Sequence, residues 1–174
     1  SITPTYGAVA LKIKNRRWDG IPFLIRAGKA LGERKTEIRI MFRDVPANIF
    51  TASQTPPEAN ELVIRVQPDP SISLSFMNKI SGLRMSLHKT HLNLSYADVY
   101  EEIPDAYESL ILDVIKGDKS LFIRSDELAA AWKVFSPVLN DLESCTIRPQ
   151  DYPFGSTGPQ SAGALPALYN TNWR

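Results

Sequence analysis

"ELVIRVQPDPSISLSF", residues 61–76, carries the pattern on which the fold class depends. On each side of the central QPDP, every second residue is apolar, so that the apolar side chains of each segment share one face: Leu62, Ile64 and Val66, then Ile72, Leu74 and Phe76. Alternation with a period of two is typical of strands that bury one face. The connection at 68–70 is too short for a parallel crossover, so we predict two antiparallel neighbours.

Four other segments extend this pattern along the first two-thirds of the chain: residues 9–14, 21–26, 36–42 and 92–96. Pro22 indicates an edge position or the start of a strand, because proline cannot donate to a ladder of hydrogen bonds. A long proline-containing connection separates the third of these segments from the strand at 61–67.

The last third changes to a helical period. Apolar residues recur at helical spacing in 104–117 and again in 125–142, with Gly117 as the predicted stop of the first helix. Ser125 is the predicted N-cap of the second helix, and Pro137 is expected to kink or divide it. Strands followed by helices predict an α+β domain over residues 1–174, with a large, mainly antiparallel sheet and helices packed on one face.

Bulk properties exclude several classes of protein. A net charge of +1, from 20 Lys and Arg against 19 Asp and Glu, provides no overall field for nucleic acid. Cys145 is the one cysteine, which rules out an internal disulfide, and we expect it to be a buried thiol in a reducing compartment. No apolar run spans a bilayer and no secretory signal opens the sequence. We therefore expect a soluble, cytoplasmic protein without nucleic-acid or membrane partners.

Common catalytic and nucleotide-binding motifs fail when they are tested. Gly28–Lys29 is followed by Ala30 and preceded at the required glycine position by Phe23, so it is not a phosphate loop, and no G-x-G-x-x-G occurs. His88 and His91 lack nearby ligands and are predicted to be surface or loop residues. The carboxylate pairs at 101–102 and 126–127 precede helices, where the helix dipole explains them. We predict no catalytic residue and no metal site.

"IRAGKALGERKTEIRI", residues 25–40, holds five cations and leaves two interpretations open. A solvated surface is the simpler one. The other is an anion site, because Gly28 and Gly32 permit close approach of a ligand to the backbone. Arg39, Arg65 and Gln67 lie on the polar faces of their strands and would extend such a site if those strands were neighbours. The residues alone indicate an anion and do not identify it.

A family resemblance favours the second interpretation, an anion site. "RRWDGIPFLIRAGKALGERKTEIRIMF" (16–42) resembles the RWxGVPFxLRxGKAL segment in the C-terminal domain of glucose-6-phosphate dehydrogenases. The resemblance continues in register through four further blocks: "NELVIRVQP" (60–68), "PDAYESLILDVIKGD" (104–118), "FIRSDELAAAWKVFSPVL" (122–139) and "YPFGSTGP" (152–159).

The resemblance implies part of an NADP-dependent enzyme of the oxidative pentose phosphate pathway, which oxidises glucose 6-phosphate to 6-phosphogluconolactone. It implies substrate contacts from Lys29, Arg34 and Gln67, and a homodimer or tetramer formed through the sheet. The catalytic pair and the Rossmann domain of the family lie in an N-terminal part that this sequence lacks, so the chain alone is expected to be inactive. The alternative is an independent, non-catalytic module that binds anions or mediates assembly.

Some family members hold a second, structural NADP on this sheet. The cations of that pattern are present here: Arg26, Lys35, Arg39 and Arg65. Other positions depart from it, since a Tyr, a Lys, an Asp and an Arg are replaced: Ser73, Ser75, Asn93 and Thr157. The loss of a stacking ring and two cations predicts that this structural nucleotide site is vestigial or absent.

Overall fold

The computed structural model describes residues 3–46, 48–50, 57–100 and 105–173. In chain order the strands and helices are β1 (Tyr6–Lys12), β2 (Pro22–Gly28), β3 (Thr36–Met41), β4 (Glu61–Gln67), β5 (Ser71–Lys79), β6 (Leu87–Ser95), α1 (Ala106–Lys116), α2 (Ser125–Glu143) and α3 (Ala164–Ala167). They belong to two compact units: a first unit with the residues up to 33 and from 120 onward, and a second unit with residues 34–119.

The first unit contains an antiparallel hairpin of β1 and β2, in which Tyr6 lies opposite Gly28. The turn of this hairpin is closed by the side-chain oxygen of Asn15, which accepts hydrogen bonds from the main-chain nitrogens of Arg17 and Trp18 at 3.1 and 2.9 Å. An asparagine that bonds to its own backbone two residues on is a usual way to stabilise a turn. The hairpin thereby brings the end of β2 beside the start of β1.

The second unit contains a four-stranded antiparallel sheet in the order β3-β4-β5-β6. The hairpin predicted from residues 61–76 is confirmed as β4 and β5, and β3 lies beside β4. One face of this sheet carries two apolar rows that cross all four strands: Ile38, Ile64, Ile72 and Leu94, then Ile40, Leu62, Leu74 and Leu92. The opposite face is mainly polar, because most residues between these apolar positions are charged or carry a hydroxyl or amide group.

Helix α1 ends as the sequence predicts. Gly117 takes a left-handed conformation (φ 73°) at its C-cap, where glycine has no steric penalty. At the other end, Asp105 accepts a hydrogen bond of 2.8 Å from the main-chain nitrogen of Tyr107. A carboxylate in this position satisfies a free amide of the first turn and favours the positive end of the helix.

Helix α2 differs from the prediction at its N-cap. Its N-cap is Arg124 and not Ser125, and the Arg124 guanidinium makes two hydrogen bonds to the Asp126 carboxylate, at 3.0 and 2.8 Å. Because Asp126 also accepts from the main chain of Glu127, it satisfies the helix end in place of a serine cap. Pro137 lies inside a helix of 19 residues and does not divide it.

Few of the described residues are buried. Leu87 and Pro166 are the buried apolar side chains, while Glu61 and Ser75 are buried polar ones. The apolar stripes of the helices are exposed: Ile115 is 77% exposed on α1 and Trp132 is 57% exposed on α2. An apolar surface of this extent is typical of a protein that binds other protein surfaces.

The α+β class and the antiparallel pairing are confirmed. The described strands form two sheets, of two and four strands, where the sequence analysis expected one large sheet. The apolar side of α1 is exposed and does not cover the sheet of its unit. The division of 1–174 into domains stays a prediction. None of the helices in the described part of the chain is long and apolar enough to cross a membrane.

Candidate functional site

Lys29 follows directly after β2 in the first unit, and its main chain is held on both sides. Its nitrogen donates a hydrogen bond of 2.8 Å to the main-chain oxygen of Thr5. Its carbonyl oxygen accepts a hydrogen bond of 2.8 Å from the hydroxyl of Tyr152. Lys29 as a whole is exposed. The backbone is therefore fixed by hydrogen bonds at a residue that solvent reaches.

The residues after Lys29 pair with the loop that follows Tyr152. The carbonyl oxygen of Ala30 accepts a hydrogen bond of 2.8 Å from Gly155, and the nitrogen of Gly32 donates one of 3.0 Å to Ser156. Ala30 takes a left-handed conformation with φ 53°. The left-handed conformation in this turn is thus adopted by an alanine, which a neighbouring loop holds in place.

Gly28 and Gly32 serve packing within the chain. A Cβ atom at Gly28 would lie 2.7 Å from Cδ2 of Tyr6, and one at Gly32 would lie 2.9 Å from the main-chain oxygen of Gly155. Both distances are shorter than Cβ contacts in proteins allow. The glycines therefore permit close approach of other parts of the same unit, and ligand approach is not needed to explain them.

An open cleft of about 480 Å³ lies beside Lys29 in the first unit. Its lining residues include Lys29 and Asp151 and three aromatic residues: Tyr6, Tyr152 and Phe154. Tyr6 and Tyr152 meet edge to face, with ring centroids 5.6 Å apart. Burial raises the pKa of Tyr6, the charge of Arg26 opposes that shift, and Tyr152 adds to it. Tyr6 is therefore a neutral phenol at physiological pH.

Arg26 lies in the same unit and stacks on an aromatic ring. Its guanidinium carbon is 4.9 Å from the centroid of the Trp173 ring. The indole nitrogen of Trp173 donates a hydrogen bond of 2.8 Å to the main-chain oxygen of Ala162, which orients the ring. A guanidinium over an indole face is an attractive cation–π contact. Arg26 is thus placed by the C-terminal segment of its own unit.

Arg34 and Gln67 lie in the second unit. Gln67 ends β4, and its side-chain nitrogen donates a hydrogen bond of 3.2 Å to the hydroxyl of Thr36 at the start of β3. Arg34 is exposed and precedes Thr36 by two residues. Strand pairing therefore brings Gln67 to the segment that contains Arg34, while Lys29 belongs to the other unit.

The other three predicted cofactor cations surround one carboxylate on the polar face of the sheet. Glu37 accepts from Nε of Arg39 at 2.8 Å, and its oxygens lie 3.4 Å from Nζ of Lys35 and 3.9 Å from Nη2 of Arg65. Arg39 also reaches Glu61 on β4, at 3.3 Å. The cations of this cluster were predicted from the sequence, and its two carboxylates were not.

The charges of Glu37 and Arg39 stabilise each other. Burial by itself would raise the pKa of Glu37, but the hydrogen bond from Arg39 and the charges of Arg39 and Lys35 outweigh it. The pKa of Glu37 consequently lies below its ordinary value of 4.5. The hydrogen bond to Glu37 raises the pKa of Arg39 in return, against the effect of burial. Glu37 and Arg39 are therefore both ionised at neutral pH.

Three of the four positions that depart from the structural nucleotide pattern lie in the same sheet as this cluster. Ser73 pairs with Asn93 across β5 and β6, and Ser75 pairs with Glu61 on one side and His91 on the other. Ser75 is only 6% exposed, and its hydroxyl lies 2.9 Å from Nδ1 of His91. The Ser75 hydroxyl therefore bonds within the sheet. Thr157, the fourth such position, belongs to the other unit.

The remaining candidates from the sequence have simple surroundings. His88 and His91 are exposed, as predicted, although both lie on β6 and not in a loop. In the described ranges no three His, Cys, Asp or Glu side chains are arranged to hold a metal.

Cys145 is exposed, so the prediction of a buried thiol is wrong. It lies past the end of α2 with φ 56°, off the apolar stripe of that helix. Residues 101–104, which include one carboxylate pair, lie outside the described part.

Comparison with known proteins gives one consistent family. A model of the family described as glucose-6-phosphate dehydrogenase, C-terminal domain, matches residues 1–174. A chloroplastic glucose-6-phosphate 1-dehydrogenase of Nicotiana tabacum is 54% identical over 177 residues, which cover 99% of this chain and 30% of the relative. The glucose-6-phosphate 1-dehydrogenase of Drosophila melanogaster is 48% identical over 164 residues, covering 93% and 31%.

Solved structures agree with these relatives. A structure described as glucose-6-phosphate dehydrogenase in complex with its substrate glucose-6-phosphate superposes with a TM-score of 0.84 at 45% identity, covering 98% of this chain and 34% of that one. Glucose-6-phosphate 1-dehydrogenase from Mycobacterium avium gives 0.82 at 35% identity, covering 100% and 36%. The chain therefore spans about a third of the length of the proteins that it matches.

Proposed function

We propose a function from the premise that this chain belongs to the glucose-6-phosphate dehydrogenase family, whose C-terminal domain it matches from end to end. As part of the complete enzyme it helps to bind glucose 6-phosphate, which the enzyme oxidises to 6-phosphogluconolactone while reducing NADP. The observation that carries this proposal is the match of a C-terminal-domain model to all 174 residues.

Three side chains make the substrate contacts in this proposal: Lys29, Arg34 and Gln67. Their chemistry suits a sugar phosphate, because ammonium and guanidinium groups bind phosphate oxygens and an amide can bond to a hydroxyl group. All three residues are exposed, and Lys29 also borders the open cleft. They orient the substrate, and the chemistry itself belongs to residues outside this chain.

A hybrid enzyme tests the proposal. Residues 1–174 replace the matched segment of the Nicotiana tabacum relative, and NADPH formation is followed with glucose 6-phosphate as substrate. We expect activity in the hybrid and none in the 174-residue chain alone. Lys29→Ala, Arg34→Ala and Gln67→Ala should each raise the KM for glucose 6-phosphate by about tenfold or more, since each removes a hydrogen bond to a charged or polar group. An inactive but folded hybrid would contradict the proposal.

We also propose that the chain assembles with a second copy through the apolar face of the four-stranded sheet, as a homodimer or within a tetramer. The outer members of the two apolar rows are exposed, and Leu92 on the edge strand β6 reaches 58%. Covering such a face with a partner removes apolar area from water, at about 25 cal/mol per Å². The measurement is the oligomeric state in solution.

NADP is the coenzyme in this proposal, and it binds mainly outside this chain. The structural nucleotide site formed by Arg26, Lys35, Arg39 and Arg65 is vestigial or absent. Support comes from the ion pairs of Glu37 with three of these cations and from the contact of Arg26 with Trp173. A bound dinucleotide phosphate would have to compete with these interactions.

We propose a cytoplasmic location as well. The proposal rests on the reduced state expected for the exposed thiol of Cys145. Several plant relatives are named as chloroplastic, and a plastid stroma also keeps thiols reduced, so the two compartments have to be separated by experiment. Fractionation of cytosol and plastids, followed by immunodetection of this chain, makes that distinction.

A further inference from the structure

The hydroxyl of Tyr152 joins two segments that the sequence keeps far apart. It donates a hydrogen bond of 2.8 Å to the carbonyl oxygen of Lys29, which lies 123 residues earlier. It is also 3.0 Å from the hydroxyl of Thr5 and 3.2 Å from the carbonyl oxygen of Thr5. A phenol has one proton and two acceptor sites, so it can donate to Lys29 while it accepts from the Thr5 hydroxyl.

The ring of Tyr152 is itself held by its surroundings. It meets the ring of Tyr6 edge to face at 5.6 Å between centroids. Tyr6 in turn packs against Gly158, where an added Cβ would overlap the Tyr6 ring and where φ is 112°. The phenol oxygen thus has little freedom to leave Lys29, because its ring is packed and its hydroxyl is bonded.

Three main-chain atoms around Lys29 form hydrogen bonds with residues outside the turn. The Lys29 nitrogen donates to Thr5 at 2.8 Å, and the Ala30 oxygen accepts from Gly155 at 2.8 Å. Tyr152 supplies the one side-chain bond in this set, to the carbonyl oxygen between them. Loss of that bond would leave the left-handed conformation of Ala30, which a non-glycine residue adopts at a cost, with less support.

We propose that Tyr152 is a positioning residue for the sugar-phosphate contact of Lys29. This inference rests on the proposed function, in which the Lys29 ammonium group binds glucose 6-phosphate. A lysine side chain has four rotatable bonds, so its charge is well placed only if the Cα atom from which it starts is fixed. Tyr152 fixes it from the main-chain side, through the carbonyl oxygen of Lys29.

The test uses the hybrid enzyme and the variant Tyr152→Phe, which keeps the ring and removes the hydroxyl. We expect the KM for glucose 6-phosphate to rise about three- to tenfold, the loss associated with one hydrogen bond. The KM for NADP and the melting temperature should change little. Tyr169→Phe makes the same chemical change elsewhere in the first unit and serves as the matched control.

A double-mutant cycle separates positioning from general stabilisation. If Tyr152 acts through Lys29, then Tyr152→Phe has no further effect on the KM for glucose 6-phosphate in a Lys29→Ala background. An equal rise in both backgrounds, or a parallel rise in the KM for NADP, would overturn the inference. If Tyr152→Phe fails to fold, Thr5→Val decides in its place, since it removes only the hydroxyl that bonds to Tyr152 and should give a smaller rise with the same dependence on Lys29.

The outcome also distinguishes this inference from the proposed function. An unchanged KM in Lys29→Ala would refute the role of Lys29, and the role of Tyr152 with it. A raised KM in Lys29→Ala together with a wild-type KM in Tyr152→Phe would refute the positioning role alone. Amide hydrogen exchange at Lys29, faster in Tyr152→Phe than in Tyr169→Phe, should accompany the expected kinetic result.

Discussion

Nε of Arg39 donates a hydrogen bond of 2.8 Å to the carboxylate of Glu37, two residues away on the same face of β3. The spacing of two is what places both side chains on the polar side of the sheet. With Lys35, Arg65 and Glu61, the pair forms a cluster of three cations and two carboxylates. A patch that the sequence presents as cationic is therefore largely neutralised by its own chain.

Removal of Glu37 should destabilise the fold. Glu37→Gln leaves three neighbouring cations without their shared carboxylate, so we expect the free energy of unfolding to fall by about 2 kcal/mol. Urea denaturation of the 174-residue chain measures it. Glu58→Gln is the matched control, because Glu58 pairs with Lys89 at 2.8 Å in an exposed position, and such pairs contribute about 0–1 kcal/mol. Equal losses in the two variants would contradict the prediction.

The same carboxylate predicts the response to acid. The pKa of Glu37 is lower in the folded protein than its ordinary 4.5, so its stabilisation is complete above that value and is lost as the pH falls through the folded pKa. The difference in unfolding free energy between wild type and Glu37→Gln should be constant from pH 7 to about pH 5 and shrink at lower pH. A difference that does not change between pH 7 and strongly acidic pH would be evidence against this account.

Nucleotide binding gives a third prediction. In equilibrium dialysis of the hybrid enzyme with NADP, we expect one tight site per subunit, because the second pattern lacks its aromatic ring and two of its cations at Ser73, Ser75 and Thr157. Glu37→Gln should not create a second site, since stacking would still be missing. Two tight sites per wild-type subunit would refute the vestigial assignment.

Assembly of the chain with a second copy gives a fourth prediction. Leu92→Lys places a charge on the apolar face of the sheet and should shift the chain toward monomers in sedimentation experiments, because burial of an unpaired charge is costly. Asn93→Lys is the matched control one residue along β6, on the opposite face. The same oligomeric state in wild type and Leu92→Lys would show that the partner binds another surface.

The strands could be predicted from sequence because their alternation is local. The segment at 71–76 has three serines between three apolar residues, and the structure continues it to Lys79 as β5. The same reasoning could have found Glu37, since it shares a face with Arg39. From the sequence, Arg39 and Arg65 were expected to lie close together only if their strands were neighbours. The pairing of β3 with β4 meets this condition.

The contact that holds the main chain of Lys29 could not be predicted in this way. Its hydrogen bond to Tyr152 joins residues 123 positions apart, and no short pattern encodes such a distance. The prediction of a buried Cys145 failed for a related reason. Burial depends on what surrounds the end of α2, and the tendency of cysteine to be buried is only an average over many proteins.

The first unit is discontinuous in sequence, with the whole second unit inserted between its parts. A ribosome therefore makes the hairpin of β1 and β2 long before it makes Tyr152, and chains fold from the N-terminus as they emerge. The turn at Lys29 gains its last hydrogen bonds only when the segment that follows α2 has been translated. A chain truncated before Tyr152 would contain all three proposed substrate contacts and still lack the hydrogen bond that holds the main chain of Lys29.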